Sequence, residues 1–204
     1  MTGTIPSEIG QLSAVEYILL NTNNLISTIP SELGLLSDNL HWLYLHLNAL
    51  TGSIPVELSR LTGLDELFLR HNQLQGPIPT HLGLLQKLRK LNLRNNALTS
   101  SLPSELGRLP RLFWLIVSAN RLTSSIPSEL GRLAELDELW LQANELTGTV
   151  PPELASIASL SILNITGNEL LSGTVPEEVC SIAELNLDMD CTATLCGCDC
   201  SCSA

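Results

Sequence analysis

The fold is decided by a stretch such as residues 136–157, LDELWLQANELTGTVPPELASI. In it Leu136, Leu139 and Leu141 stand among polar residues, and the alternation at its end predicts a short strand with one face turned inward. Asn144 follows the strand, and an apolar residue and a proline-containing segment come next. The same arrangement returns before and after this stretch, so it is one unit of a repeat.

The prolines show the period of this repeat most clearly. Successive members of the series are separated by 24 or 25 residues, at Pro6, Pro30, Pro55, Pro79, Pro103, Pro127, Pro151 and Pro176. Aligning the units on the prolines brings asparagines into one column, at Asn23, Asn48, Asn72, Asn96, Asn120, Asn144 and Asn168. A fixed period of this length predicts a solenoid, because no unit buries its apolar face alone and stacking of the units supplies the core.

These columns resemble the plant-type leucine-rich repeat, LxxLxLxxNxLxGxIPxxLGxL. The match is clearest at TGSIPVELSRL, residues 51–61, and at TGTVPPELASI, residues 147–157, and it covers residues 1–187, about seven full repeats. The resemblance implies an α/β solenoid, a right-handed superhelix with a concave parallel β-sheet and short convex helical turns. Three serines depart from the family pattern by replacing the glycine that usually stands before the proline, at Ser27, Ser100 and Ser124.

Two recurring polar residues have a structural interpretation. Each asparagine of the column is expected to hydrogen-bond the backbone of adjacent coils, which would form a ladder and leave these amides no ligand. A glutamate stands two residues after each proline of the series except Pro79, where His81 takes its place. The negative charge of each glutamate complements the dipole of a helical turn and stabilises it by about 0.3–1 kcal/mol. Most of the net charge of −11 is therefore architectural, and its sign argues against a nucleic-acid partner.

The N-terminus lies inside a repeat, since Met1 occupies the apolar position that Leu50 and Leu146 hold elsewhere. No basic-then-apolar leader segment is recognisable there, and an open end would expose the leucines of the core. We therefore expect a chain truncated within its first repeat. The alternative is a native end that a partner covers.

The C-terminal segment, residues 180–204, differs from the repeats because it is rich in cysteine. It contains all six cysteines of the chain, Cys180, Cys191, Cys196, Cys198, Cys200 and Cys202. Extracellular members of the family usually have a disulfide-closed cap, so the resemblance implies disulfides and an oxidising compartment, with the pairing left open. The alternative is an intracellular protein–protein scaffold whose cysteine tail binds a soft metal. A sequon at Asn164 permits glycosylation.

The side chains that flank the inward leucines are expected to project from the concave sheet. All seven aromatic residues occupy such positions, and none replaces a framework leucine. Exposed rings add little to folding but dominate protein interfaces, whereas their alternative role is to stabilise strand pairs by about 0.2–1 kcal/mol each. The predicted ligand-binding residues are Tyr17, Trp42, Tyr44, His46, Phe68, Arg70, His71, Arg94, Phe113, Trp114 and Trp140.

Charge on this face predicts an anion site. Arg70 and Arg94 occupy one column of adjacent strands without an acid beside them, which favours a carboxylate or sulfate ligand bordered by His46 and His71. Two solvated arginines are the alternative. Two opposite-charge pairs of little energetic value are also expected on neighbouring strands, Asp65 with Arg89 and Glu66 with Lys90.

No catalytic motif is recognisable, and no cofactor or metal is expected. The longest apolar run, residues 112–117, is too short to span a membrane, so membrane attachment would require another segment or a partner. The sequence therefore predicts a non-enzymatic, extracellular or cell-surface module that binds a protein, a peptide or an oligosaccharide on its concave face. The resemblance implies a relation to the ectodomains of receptor-like kinases and receptor-like proteins, or to polygalacturonase inhibitors. A purely structural solenoid is a further alternative.

Overall fold

Successive repeats form the stacked coils of a solenoid in the computed structural model, which describes residues 1–190. One parallel sheet lines the concave side and contains eight strands within the described residues. In spatial order these strands are Tyr17–Leu19, Trp42–Tyr44, Glu66–Phe68, Lys90–Asn92, Trp114–Ile116, Glu138–Trp140, Ile162–Asn164 and Asn186–Asp188. The predicted fold class is confirmed.

Register in the concave sheet follows from the repeat. Leu43 pairs with Leu67 and Leu67 with Leu91, so equivalent residues of adjacent coils lie side by side. These central leucines are fully buried, because successive side chains of a strand point to opposite faces. The residues on either side of each leucine are therefore displayed on the concave face in straight columns across the sheet.

The column of asparagines forms the predicted ladder. The amide oxygen of Asn72 accepts a hydrogen bond from the backbone N–H of Leu50 at 3.0 Å. Its amide nitrogen donates to the carbonyl oxygens of Leu45 and Leu69, both at 3.0 Å. Equivalent contacts recur from Asn48 to Asn168, so each asparagine connects its own coil to the one before it.

Short helices form the convex side, where a proline precedes each of them in an extended conformation. Seven are 3₁₀ helices within the described residues, followed by one α-helical turn, and a glutamate lies in the first turn of every one except that containing His81. Their bounds are Ser7–Gln11, Ser31–Asn39, Val56–Arg60, Thr80–Leu84, Ser104–Arg108, Ser128–Arg132, Pro152–Ser156 and Glu177–Cys180.

A second set of short strands connects the concave sheet to the helices. Ser27, Ser100 and Ser124 adopt φ of 73°, 69° and 69°, close to the 75° of Gly52 at the equivalent position. The serines therefore keep the left-handed backbone of the glycine they replace, at a cost of about 1–2 kcal/mol each. The strands of this set are Thr2–Thr4, Asn24–Thr28, Ala49–Thr51, Gln75–Pro77 and Ala97–Thr99.

The C-terminal end of the described chain continues the concave sheet. Strand Asn186–Asp188 pairs in parallel with Ile162–Asn164, as expected for a degenerate last repeat. Cys180, at the end of the α-helical turn, is disulfide-bonded. The other five cysteines, Cys191, Cys196, Cys198, Cys200 and Cys202, lie outside the described residues, and the pairing stays a prediction.

Candidate ligand-binding surface

Four rings form an aromatic shelf at the N-terminal end of the concave face: Tyr17, Trp42, Tyr44 and Phe68. The ring of Tyr44 is stacked with that of Trp42, at a centroid distance of 5.9 Å, and with that of Phe68, at 4.7 Å. Tyr17 is tilted against Trp42 at 4.8 Å, and these two outer rings remain 47% and 36% exposed, respectively. The rings thus support neighbouring strands, as in the alternative interpretation, and also present open apolar surface.

A chain of polar contacts crosses four strands beside the shelf. The hydroxyl of Tyr44 donates to the carboxylate of Glu66, and burial together with this bond raises the pKa of Tyr44 far above its ordinary value. The Glu66 carboxylate, itself buried, pairs with the Lys90 ammonium at 3.0 Å, which confirms one predicted ion pair. The same ammonium lies 4.5 Å from the ring centroid of Trp114. These contacts fix the central part of the concave face.

The expectation of an ion pair between Asp65 and Arg89 is wrong. Within residues 1–190, Lys90 with Glu66 is the only ion pair with nitrogen and oxygen within 4.0 Å. The two residues are neighbours through their backbones, where the N–H of Arg89 donates to the carbonyl oxygen of Asp65 at 2.8 Å. Asp65 is half-buried and Arg89 is exposed, and an ion pair at such a surface would contribute little.

The predicted anion site corresponds to a depression of about 220 Å³, the arginine pocket. Arg70 and Arg94 line it, and neither forms an ion pair in the part of the chain that the structure describes. The Glu138 carboxylate also faces the pocket, but it accepts a hydrogen bond from the indole N–H of Trp140 at 2.7 Å. The remaining lining residues are His71, Asn92, Ile116 and Trp140.

Two histidines lie beside the arginines: His71 lines the pocket, and His46 is the neighbour of Arg70 in the sheet register. His46 is 7% exposed, and burial followed by the charges of Arg70 and His71 lowers its pKa. His71 accepts a hydrogen bond on Nδ1 from the Asn95 amide at 2.6 Å. Its pKa is also lowered, first by burial and then by Arg70 and Arg94. Protonation of either ring would add positive charge beside the two arginines.

Unpaired buried polar atoms add two residues that the sequence analysis missed, Ser118 and Gln142. The Ser118 hydroxyl and the Gln142 amide oxygen have no hydrogen-bond partner within the described chain, and the same holds for His46 Nδ1 and Trp114 Nε1. The sheet register places His46, Arg70, Arg94, Ser118 and Gln142 in one column of five consecutive coils. The sequence signal that could have identified Ser118 and Gln142 is their place in the same column as Arg70 and Arg94. An unpaired buried polar group costs about 1–3 kcal/mol, so this column favours a ligand.

The remaining predicted residues lie elsewhere. Phe113 and Trp114 form a tilted pair at a centroid distance of 6.2 Å, both half-buried, between the shelf and the end of the sheet.

Asn164 is buried, and its amide nitrogen, the atom that a glycan would modify, donates to the Asp188 carboxylate at 3.0 Å. The prediction of glycosylation at Asn164 therefore does not fit the folded chain.

No group of three or more His, Cys, Asp or Glu side chains between residues 1 and 190 is arranged to hold a metal ion. Among the helices of the same region, none has the length and apolar character needed to cross a bilayer.

Comparison with known proteins places this geometry among repeat proteins. Residues 39–61, 63–85 and 87–109 match the family model described as Leucine Rich Repeat. The LRR receptor-like serine/threonine-protein kinase GSO2 of Arabidopsis thaliana is 40% identical over 64 residues, which are 31% of this chain and 5% of that protein.

Two solved structures of Arabidopsis thaliana receptors share the fold over nearly the whole chain. The LRR ectodomain of the plant membrane receptor kinase GASSHO1/SCHENGEN3, in complex with CASPARIAN STRIP INTEGRITY FACTOR 2, is 40% identical with a TM-score of 0.88. That alignment covers 92% of this chain and 22% of the receptor chain. The HAESA LRR ectodomain, in complex with an IDA peptide hormone ligand, is 30% identical with a TM-score of 0.85, over 93% of this chain and 33% of that one. This chain therefore spans a third or less of these ectodomains.

Proposed function

The chain belongs to the plant-type leucine-rich repeat family, and we propose that it is an extracellular recognition module that binds an extended peptide on its concave sheet. One observation carries the proposal: the framework leucines of the concave strands are buried, while all seven aromatic residues and the unpaired polar column face the concave side. Aromatic and arginine side chains dominate the binding energy of protein interfaces. The module itself binds and carries out no catalysis.

A peptide fits this surface better than an oligosaccharide does. The Tyr44 ring is stacked with those of Trp42 and Phe68, so the centre of the shelf has less open ring face for sugar stacking. Concave strands lie about 4.8 Å apart, so the column from His46 to Gln142 extends over roughly 20 Å, the length of an extended peptide of about six residues. Peptide ligands of similar ectodomains support the same choice.

The arginine pocket is proposed to receive an anionic group of this peptide, a carboxylate or a sulfate. Arg70 and Arg94 lack a counter-ion within the described residues, and their guanidinium groups can each donate two parallel hydrogen bonds to such a group. The pocket volume of about 220 Å³ suits one side chain or one chain terminus. Peptides that differ only in carrying a free or an amidated C-terminus, or a sulfated or unmodified tyrosine, separate the two sources.

A random-peptide library with free C-termini tests the proposal. Peptides selected on the full chain should lose most of their affinity for the variant Trp42→Ala/Trp114→Ala/Trp140→Ala, because these three indole rings are the largest aromatic side chains of the face. The matched control truncates exposed apolar side chains away from the concave strands, Leu35→Ala/Val56→Ala/Leu84→Ala, and should bind normally. Retained affinity in the tryptophan variant would overturn the concave site, and failure of the library to yield any binding peptide would favour a purely structural solenoid.

The extracellular location has its own test. We expect the purified chain to show no reactive thiol under non-reducing conditions, and the disulfide-bonded state of Cys180 supports this expectation. Six free thiols, together with zinc or copper bound by the native chain, would favour the intracellular scaffold with a metal-binding tail.

A further inference from the structure

Five exposed cations line one flank of the solenoid, where the chain passes from the convex helices to the concave strands. Arg60, Arg108 and Arg132 are the last residues of three 3₁₀ helices. Lys87 and Arg111 are equivalent residues of the turns that follow two of the convex helices, Thr80–Leu84 and Ser104–Arg108. All five are solvent-exposed, and together they are called the basic flank.

The basic flank is a positive patch on an acidic protein. The chain has a net charge of −11, yet all ten of its cations fall between residues 60 and 132. In the next coil Glu135 takes the position of Lys87 and Arg111, which ends the patch. None of the five cations forms an ion pair with an acid of residues 1–190. Glu57, Glu105 and Glu129 lie in the first turns of the helices that end at the three arginines, but they form no ion pair with them within 4.0 Å. Lys87 and Arg111 have no such acid in their turns.

Helix stabilisation does not account for this arrangement. A cation at the end of a helix interacts favourably with the helix dipole, which applies to Arg60, Arg108 and Arg132. Other convex helices nevertheless end in uncharged residues, at Gln11, Leu84 and Ser156. Lys87 and Arg111 lie beyond the helices altogether, so their charges have no such role.

We propose that the basic flank binds a linear anionic polysaccharide. Its cations recur on successive coils over about 14 Å, taking about 4.8 Å for each coil, so they form a row that matches a chain of repeating negative charges. Protein interfaces are anchored by aromatic residues and single-stranded nucleic acids stack on them, but all seven rings of this chain belong to the concave strands or their starts. A row of hydrated charges binds a polyanion through release of its counter-ions.

Binding of dextran sulfate and alginate to the full chain tests the proposal, with neutral dextran as the blank. The variant with all five cations replaced by Gln should lose affinity by about tenfold or more, and wild-type affinity should fall steeply with added salt. Arg121→Gln is the matched control, because Arg121 is equally exposed but follows the asparagine ladder on the opposite flank. The double variant Lys87→Gln/Arg111→Gln, confined to turns, should show an intermediate loss and serves if the fivefold variant does not fold.

The concave variant Arg70→Gln/Arg94→Gln separates this inference from the proposed function. It should bind dextran sulfate as the wild type does while losing its selected peptides. Loss of dextran sulfate binding in that variant but not in the flank variant would overturn the polysaccharide site. Equal affinity for poly-glutamate and the two polysaccharides would also overturn it, in favour of an acidic protein segment.

Discussion

Single residues decide the chemistry of the concave face, and the two arginines of the pocket are the clearest case. Arg70→Ala/Arg94→Ala should weaken binding of an anionic peptide by about tenfold or more, because each charge-assisted hydrogen bond contributes about 1.5–3 kcal/mol. Isothermal titration of the free-acid and amidated forms of one selected peptide measures this. The difference between the two forms should disappear in the variant, and Arg121→Ala should preserve it. Unchanged affinity would mean that the arginines are merely solvated.

Ligand binding should also depend on pH through His46 and His71. Burial and the neighbouring guanidinium groups lower the pKa of both rings, so they are neutral at pH 7 and gain charge as the pH falls through those values. An anion in the arginine pocket favours the charged rings, so its affinity should rise on acidification from pH 7.5 to pH 5. Titrations at both values, repeated with His46→Gln/His71→Gln, measure the effect. A wild-type affinity that does not change with pH would contradict it.

The same two pKa shifts have the opposite consequence for folding. Because the folded-state pKa of each ring lies below its unfolded value, the unfolded chain binds protons more readily as the pH falls. The contribution of the two neutral rings to stability is therefore present above the unfolded pKa and is lost below it. Lowering the pH therefore raises the affinity for an anionic ligand and lowers the free energy of unfolding. Binding of the anion offsets part of that loss of stability.

At the scale of elements, the asparagine ladder holds one coil to the next. Asn120 is buried and makes four bonds, accepting from the N–H of Leu98 and donating to the carbonyls of Leu93, Val117 and Ser118. Asn120→Ala leaves the N–H of Leu98 unpaired, whereas the carbonyls of Leu93 and Val117 keep their bonds from Asn96 and Asn144, so the free energy of unfolding should fall by about 1–3 kcal/mol. Urea denaturation measures it.

The exposed Asn24 provides the control for this change. Asn24→Ala should alter the unfolding free energy by no more than about 0.5 kcal/mol. Equal losses in the two variants would show that the ladder is not what connects the coils.

At this scale, the sequence predicts the features that recur in every repeat. The strands, the ladder and the glutamates of the helical first turns recur with the period, so one unit determines the others. Contacts that occur once could not be predicted in this way. The chain from Tyr44 through Glu66 and Lys90 to Trp114 depends on the rotamers of four different side chains. Ser118 and Gln142 were missed because a small or neutral residue has a role only once its burial is known.

For the whole molecule, charge and repetition together determine where the solenoid is least stable. Residues 133–190 hold eleven acids and no cation, whereas all ten cations lie in the central coils. A solenoid opens from its ends, since a terminal coil has only one neighbour, and repulsion among the acids adds to this. Backbone amides of residues 133–190 should therefore exchange with solvent faster than those of residues 60–132 at low salt.

Hydrogen exchange followed by mass spectrometry under non-reducing conditions checks this gradient. Raising the ionic strength from about 0.01 M to about 0.5 M shortens the screening length from about 30 Å to below 10 Å and should slow exchange in residues 133–190. The central coils, residues 60–132, offset part of the charge of their ten cations with four acids and have a neighbour on each side, so they should change less and act as the internal comparison. If salt slows amide exchange equally in both regions, the effect comes from a general strengthening of hydrophobic burial, and the charge asymmetry does not contribute to it.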